Sequence, residues 1–155
     1  MAKLALFDPL QIAATHIFPV DTSLEPAQAA QAYATNIQAF FNGEQARFDL
    51  VLLGLGDNAH TASLFPHTPV LHEQASTVKE VFLEDQQVYR ITLTAPLINQ
   101  AHAVAFLVYG KDKALAVQQI LEAETNIEQY PAQLIAPAEG ELQWFLDTAA
   151  ASELS

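Results

Sequence analysis

The chain has 155 residues, 51% of them hydrophobic and 15% charged, one domain's worth of sequence with enough apolar content to bury a core. Eighteen acids against six bases give a formal net charge of −12, a surface that repels nucleic-acid phosphates and anionic lipid, so neither nucleic acid nor membrane is an expected partner. No apolar run approaches the roughly 20 residues that cross a bilayer, no basic and apolar leader opens the chain, and the absence of cysteine removes disulfides and thiolate chemistry and fits a cytoplasmic location.

In chain order, AKLALFDPL (2–10) reads as the last turns of a helix ending near Pro9, and THIFPV (15–20) as a short strand. From Pro26 to Asn42, Ala30, Tyr33, Ile37 and Phe40 or Phe41 recur at helical spacing, and Gly43 stands where a C-cap belongs. FDLVLLGL (48–55) is a continuous apolar run, the mark of a strand covered on both faces. STVKEVFLE (76–84) and VYRITLT (88–94) are rich in the residue types that favour strands.

AVAFLVYG (103–110) is a second buried strand. It leads through Gly110 into a helix over KDKALAVQQILEAE (111–124), with Leu115 or Ala114, Val117, Ile120 and Leu121 inward. YPAQLIAP (130–137) is a turn or short helix bounded by prolines, LQWFLD (142–147) a last strand, and TAAASEL (148–154) a helical turn. Buried strands alternating with helices imply an α/β protein with parallel strand pairs and helices on both faces of the sheet. Ligands of such sheets bind beyond the carboxyl ends of the strands, at a switch point in their order. Two such ends are Gly54–His60 and Gly110–Lys113.

Gly54, Gly56 and Ala59 formally fit the GxGxxG/A dinucleotide pattern. Pro66 stops any following helix after about two turns, and no second strand ending in an acid follows, so nicotinamide is not the expected ligand. His60 stands past the tip of the first buried strand. An imidazole there can exchange a proton with water near neutrality, although a histidine also serves as a cap or core residue. His60, His67 and His72 do not share a helical face, and Pro66 and Pro69 intervene, so no metal site is expected. Lys113 falls in the first turn of the helix after Gly110, where free amides, the helix dipole and an ammonium suit a phosphate. A solvated lysine is the plainer reading. Arg90 stands among β-branched residues and needs an anion, either a ligand or a neighbouring acid such as Glu84 or Asp85.

The segment DLVLLGLGDNAHTASLFP (49–66) resembles the signature of the 6-phosphogluconolactonases, in which Asp-Gly-His precedes Thr-Ala-Ser-Leu-Phe-Pro. The likeness continues through residues 89–117, YPAQLIAP and WFLDTAAA, and so covers nearly the whole chain as a single domain, residues 1–155. It implies the three-layer α/β/α fold of the sugar-phosphate isomerase and deaminase superfamily, with a largely parallel, Rossmann-like sheet. It also implies hydrolysis of 6-phosphoglucono-1,5-lactone to 6-phosphogluconate, with neither metal nor organic cofactor.

By motif position the resemblance makes His60 the general base. It places Arg90 and Lys113 near the phosphate or carboxyl side of the substrate, and lets Gly54 and Gly56 admit the sugar ring. Asn58 and Ala59 replace the usual Asp and Gly. Asn58 can hydrogen-bond to the substrate side but cannot act as a base, and Ala59 makes a positive φ costlier. The family's Ser-Gly-Gly-x-Thr-Pro loop and Asp-Glu-Arg segment do not occur here. The expectation is therefore a domain lacking its first βα units, with a sheet stripped of part of its cover and prone to self-association. The competing reading is a catalytically silent chain that binds phosphosugar weakly or pairs with another chain.

Overall fold

The computed structural model describes residues 2–155. Lys3–Phe7 winds a wide helical turn, closed by the Asp8 amide on the Lys3 carbonyl at 2.9 Å, so the helical end expected near Pro9 is present. The strand expected over 15–20 does not form. Ala14–His16 makes one tight turn, and the residues after it have no strand beside them among the described residues. Pro19 takes one amide out of any ladder there.

Helix α1, Pro26–Phe40, starts on a proline whose fixed φ suits a first helical position. It stops where Asn42 and Gly43 both turn left-handed (φ 53° and 78°) and the Gly43 amide reaches back to the Gln38 carbonyl at 2.9 Å. Its buried stripe is Ala30 and Ile37, completed by half-buried Phe41, while Phe40 points out. This stripe packs on a two-stranded antiparallel hairpin, β2 (Val78–Leu83) and β3 (Val88–Leu93), through Val78, Ile91 and Leu93. A short helix, α2 (Ala95–Ile98), follows the hairpin.

The main sheet has three parallel strands: β1 (Leu50–Leu53), β4 (Ala103–Val108) and β5 (Glu141–Leu146), in the order β1-β4-β5. That order contains no reversal among the described strands. Leu53, Phe106 and Trp144 lie in register across it, and the last two rings stack 3.9 Å apart. Val51, Leu53, Val104, Phe106 and Val108 point into the core, where Leu64, Leu71, Val81, Ile98, Val117 and Ile135 meet them.

The opposite face lacks the cover that the apolar runs alone imply, in line with the expectation of a sheet stripped of part of its cover. Leu50, Leu52, Leu107, Tyr109 and Phe145 form an exposed row there, with Leu52 at 59% and Tyr109 at 79%. A continuous apolar run thus reports what a strand can bury, while the burial itself depends on which elements lie against it. Helix α3, Ala114–Leu121, covers the core side through Ala114, Ala116 and Val117. Of the alternatives at its start Ala114 is inward and Leu115 outward, and Leu121 also faces out, at the turn where the helix ends. Leu115 stands two positions before Val117, about 200° around the helix, and so points away from the core.

Candidate active site

Because β1 and β4 are parallel neighbours in register, both leave the sheet at the same edge. Gly54–His60 follows β1 there and Gly110–Lys113 follows β4, which places the two expected segments side by side. The first is a closed turn. The Gly56 amide donates to the His60 carbonyl at 2.8 Å, and the Ala59 amide to the Gly56 carbonyl at 3.1 Å. Ala59 holds φ at 61° and Ala62 at 49°, left-handed values that side chains disfavour.

The surroundings hold this conformation. Thr61, 1% exposed, donates its hydroxyl to the Gly54 carbonyl at 2.8 Å. The Ser63 amide donates to the Thr92 hydroxyl of β3 at 3.0 Å. Fully buried Leu64 anchors the segment in the core, and the Ala132 amide donates to the Ala59 carbonyl at 3.0 Å. A Cβ on Gly56 would overlap the His60 imidazole and approach the Asn58 amide oxygen, so glycine is required at that position. Gly54 has open space where a Cβ would stand, so nothing within the chain demands glycine there.

The His60 ring is held from two directions. One face stacks on Phe65, with centroids 4.0 Å apart and planes 19° from parallel. Its Nδ1 lies 2.5 Å from Asn58 Oδ1. An amide oxygen only accepts, so Nδ1 carries the hydrogen and Nε2 keeps its lone pair. Partial burial pushes the imidazole below its ordinary range. Asp57 opposes that shift and Lys113 adds to it. The result is an oriented imidazole whose neutral form is favoured.

Lys113 ends the tight turn Lys111–Lys113 that leads into α3, and its side chain is 23% exposed. Its amide donates to the Gly110 carbonyl at 3.2 Å, and its ammonium lies 3.1 Å from Asp112. Arg90, on β3 opposite Val81, shares a hairpin face with Thr92, the residue that holds Ser63. Its guanidinium donates to Gln86 Oε1 at 3.4 Å, and among the described residues it pairs with neither Glu84 nor Asp85. Gly56, Asn58 and His60 thus share one closed turn, Lys113 follows β4 at the same edge of the sheet, and Arg90 stands on the hairpin with Gln86 as its hydrogen-bond partner.

His67 and His72 turn away from His60. His72 Nε2 lies 2.6 Å from Glu128 and His67 Nδ1 lies 4.0 Å from it. Two concavities of about 360 Å³ flank the 54–60 turn, one lined by Asn58, Phe65 and Leu83, the other by Asp57, Ala59 and Leu115. A groove of about 470 Å³ at the amino end of β1, lined by Phe18, Tyr33 and Phe48, holds none of the expected site residues. Sequence reading missed the partners that frame the site. Phe65 was within reach as part of the same seven-residue motif, but Thr92 and Ala132 meet the turn only through long-range folding.

Comparison with known proteins agrees with this architecture. The profile of the family described as glucosamine-6-phosphate isomerases/6-phosphogluconolactonase matches residues 1–144. A 6-phosphogluconolactonase of Synechocystis sp. is 45% identical over 99% of this chain and 65% of its own length. One of Nostoc sp. is 43% identical over 100% and 65%. The solved 6-phosphogluconolactonase of Trypanosoma brucei superposes with a TM-score of 0.83 at 28% identity, over 99% of this chain and 66% of that one. The chain thus spans about 65% of the length of the curated relatives it matches. With the α/β fold, the parallel sheet and a profile match over most of its length, the chain belongs to the family of glucosamine-6-phosphate isomerases and 6-phosphogluconolactonases.

Proposed function

We propose that this chain carries the hydrolytic machinery for 6-phosphoglucono-1,5-lactone, yielding 6-phosphogluconate. The observation that carries the reading is the His60–Asn58 contact. It fixes the Nδ1–H tautomer and leaves Nε2 free as a base in a half-buried site. In the proposed reaction His60 Nε2 takes a proton from water as the water oxygen bonds to the lactone carbonyl carbon. The tetrahedral intermediate then expels the ring oxygen, which takes the proton back from the imidazolium. Arg90 and Lys113 serve the phosphate or carboxyl end of the sugar, Gly54 and Gly56 make room for its ring, and Asn58 completes the polar lining. Relatives named 6-phosphogluconolactonase support this choice of substrate.

The proposal needs no organic cofactor, and it places the reaction in the cytoplasm, which a chain without cysteine suits. No helix among the described residues is long and apolar enough to cross a membrane. The exposed row on β1, β4 and β5 supports the expected self-association. It also favours the second reading, a catalytically silent chain that pairs with another chain. Lactone consumption above the spontaneous rate, assayed with the chain alone, separates the two readings: a rate equal to the background selects the second.

A further inference from the structure

Asp147 directly follows β5, whose last residue, Leu146, lies opposite Val108 of β4. Its amide donates to the Val108 carbonyl at 3.3 Å. Its carboxylate reaches over the carboxyl end of β4, where Oδ1 and Oδ2 accept the Gly110 amide at 3.1 and 3.2 Å. Oδ1 also accepts the Ala150 amide at 2.7 Å. Among the described residues Asp147 joins no ion pair, so its carboxylate is engaged with backbone amides alone.

Gly110 is where β4 breaks from the sheet. It holds φ at 96°, and a Cβ there would stand 2.7 Å from Asp112 Oδ1. The Gly110 carbonyl accepts the Lys113 amide at 3.2 Å. One hydrogen-bonded turn therefore links the amide gripped by Asp147 to Lys113, which follows β4 at the sheet edge where His60 follows β1. A carboxylate offers two oxygens to one N–H here, whereas an asparagine would offer one and turn an NH₂ toward the same amide.

We propose that Asp147 is a positioning residue: by fixing the Gly110 amide it sets the course of the Gly110–Lys113 turn and so holds the Lys113 ammonium at the site of His60. This rests on the reading of Lys113 as an anion-binding group of a phosphosugar site. Asp147 does not touch substrate. It acts on the site only through the turn, and its effect disappears when Lys113 has no ammonium to place.

The test is a double-variant cycle on the full chain, read by NMR titration of the His60 ring and by calorimetric binding of 6-phosphogluconate. Lys113→Ala should raise the His60 titration, because the ammonium holds it down. Asp147→Ala should raise it in the same direction and weaken binding about tenfold, the scale of one hydrogen bond to a charged group. Asp147→Asn, which keeps one acceptor and the fold, should fall between. In the double variant Asp147→Ala should add nothing to Lys113→Ala. A wild-type His60 titration in both Asp147 variants, or losses that add in the double variant, would overturn the proposal. If the chain neither binds 6-phosphogluconate nor consumes lactone, the lactonase reading fails, and the His60 titration still decides the role of Asp147.

Discussion

Asn58 Oδ1 and His60 Nδ1 lie 2.5 Å apart, so an uncharged amide holds the imidazole where the related signature has an aspartate. A carboxylate there would stabilise the imidazolium, and an amide only orients the ring. The wild-type base should therefore remain neutral to below about pH 6.5, the ordinary histidine value. Asn58→Asp should move the acid limb of the kcat/KM profile to higher pH. A limb that stays in place would mean that Asn58 does not set the basicity of His60.

The same shift bears on stability. The folded His60 titrates below its unfolded value because burial disfavours its charged form. The stability gained by keeping it neutral is thus fully present above about pH 6.5 and is lost as pH falls through the folded value.

Gly56 has no room for a side chain because the His60 ring occupies the space. Gly56→Ala should displace that ring and cut kcat by at least about tenfold, as misplaced catalytic groups do, while the thermal midpoint falls only modestly. A fully active variant would show that the ring works from another position.

The anion-binding role predicts a loss of about 1.5–3 kcal/mol in 6-phosphogluconate affinity when Lys113 is replaced by Ala, the scale of a hydrogen bond to a charged group. Arg90→Ala should show a loss in the same range if the arginine swings from Gln86 to the ligand. Calorimetry measures both. Unchanged affinity in the two variants would assign these cations to the surface.

Ala62 offers a clean measure of strain. It holds φ at 49° and is exposed, so glycine there relieves the backbone without removing a buried methyl group. Ala62→Gly should stabilise the fold by about 0.5–1 kcal/mol. Ala59, equally strained, gives a less decisive result because its methyl is 2% exposed and its burial offsets the relief. Chemical denaturation decides the matter, and a destabilised Ala62→Gly chain would contradict the strain argument.

The legible parts of this molecule were those whose signal is local. The α1 stripe with Gly43 after it, the apolar runs of β1 and β4, and the strands β2 and β3 all follow from spacing and residue type, whereas the antiparallel pairing of β2 with β3 was not read from them. The turn at 54–60 was legible because it pairs two glycines with a histidine at a strand tip. What escaped depends on neighbours distant in sequence. The 15–20 segment has strand-forming residues but no partner strand among those described. Leu50 and Leu52 read as buried, yet each stays more than half exposed, because burial on that face needs a covering element that the sequence pattern alone does not guarantee. Of the two anions weighed for Arg90, the neighbouring acids are not its partners among the described residues, and Gln86 of the hairpin turn is.

The central claim is that His60 is the base that activates water toward a phosphosugar lactone. The most direct measurement compares the chain with His60→Ala for lactone hydrolysis above the spontaneous rate, with 6-phosphogluconate binding measured alongside. The account predicts that turnover falls by roughly a hundred- to ten-thousand-fold while binding stays close to wild type. Near-normal turnover in the His60→Ala chain would contradict it.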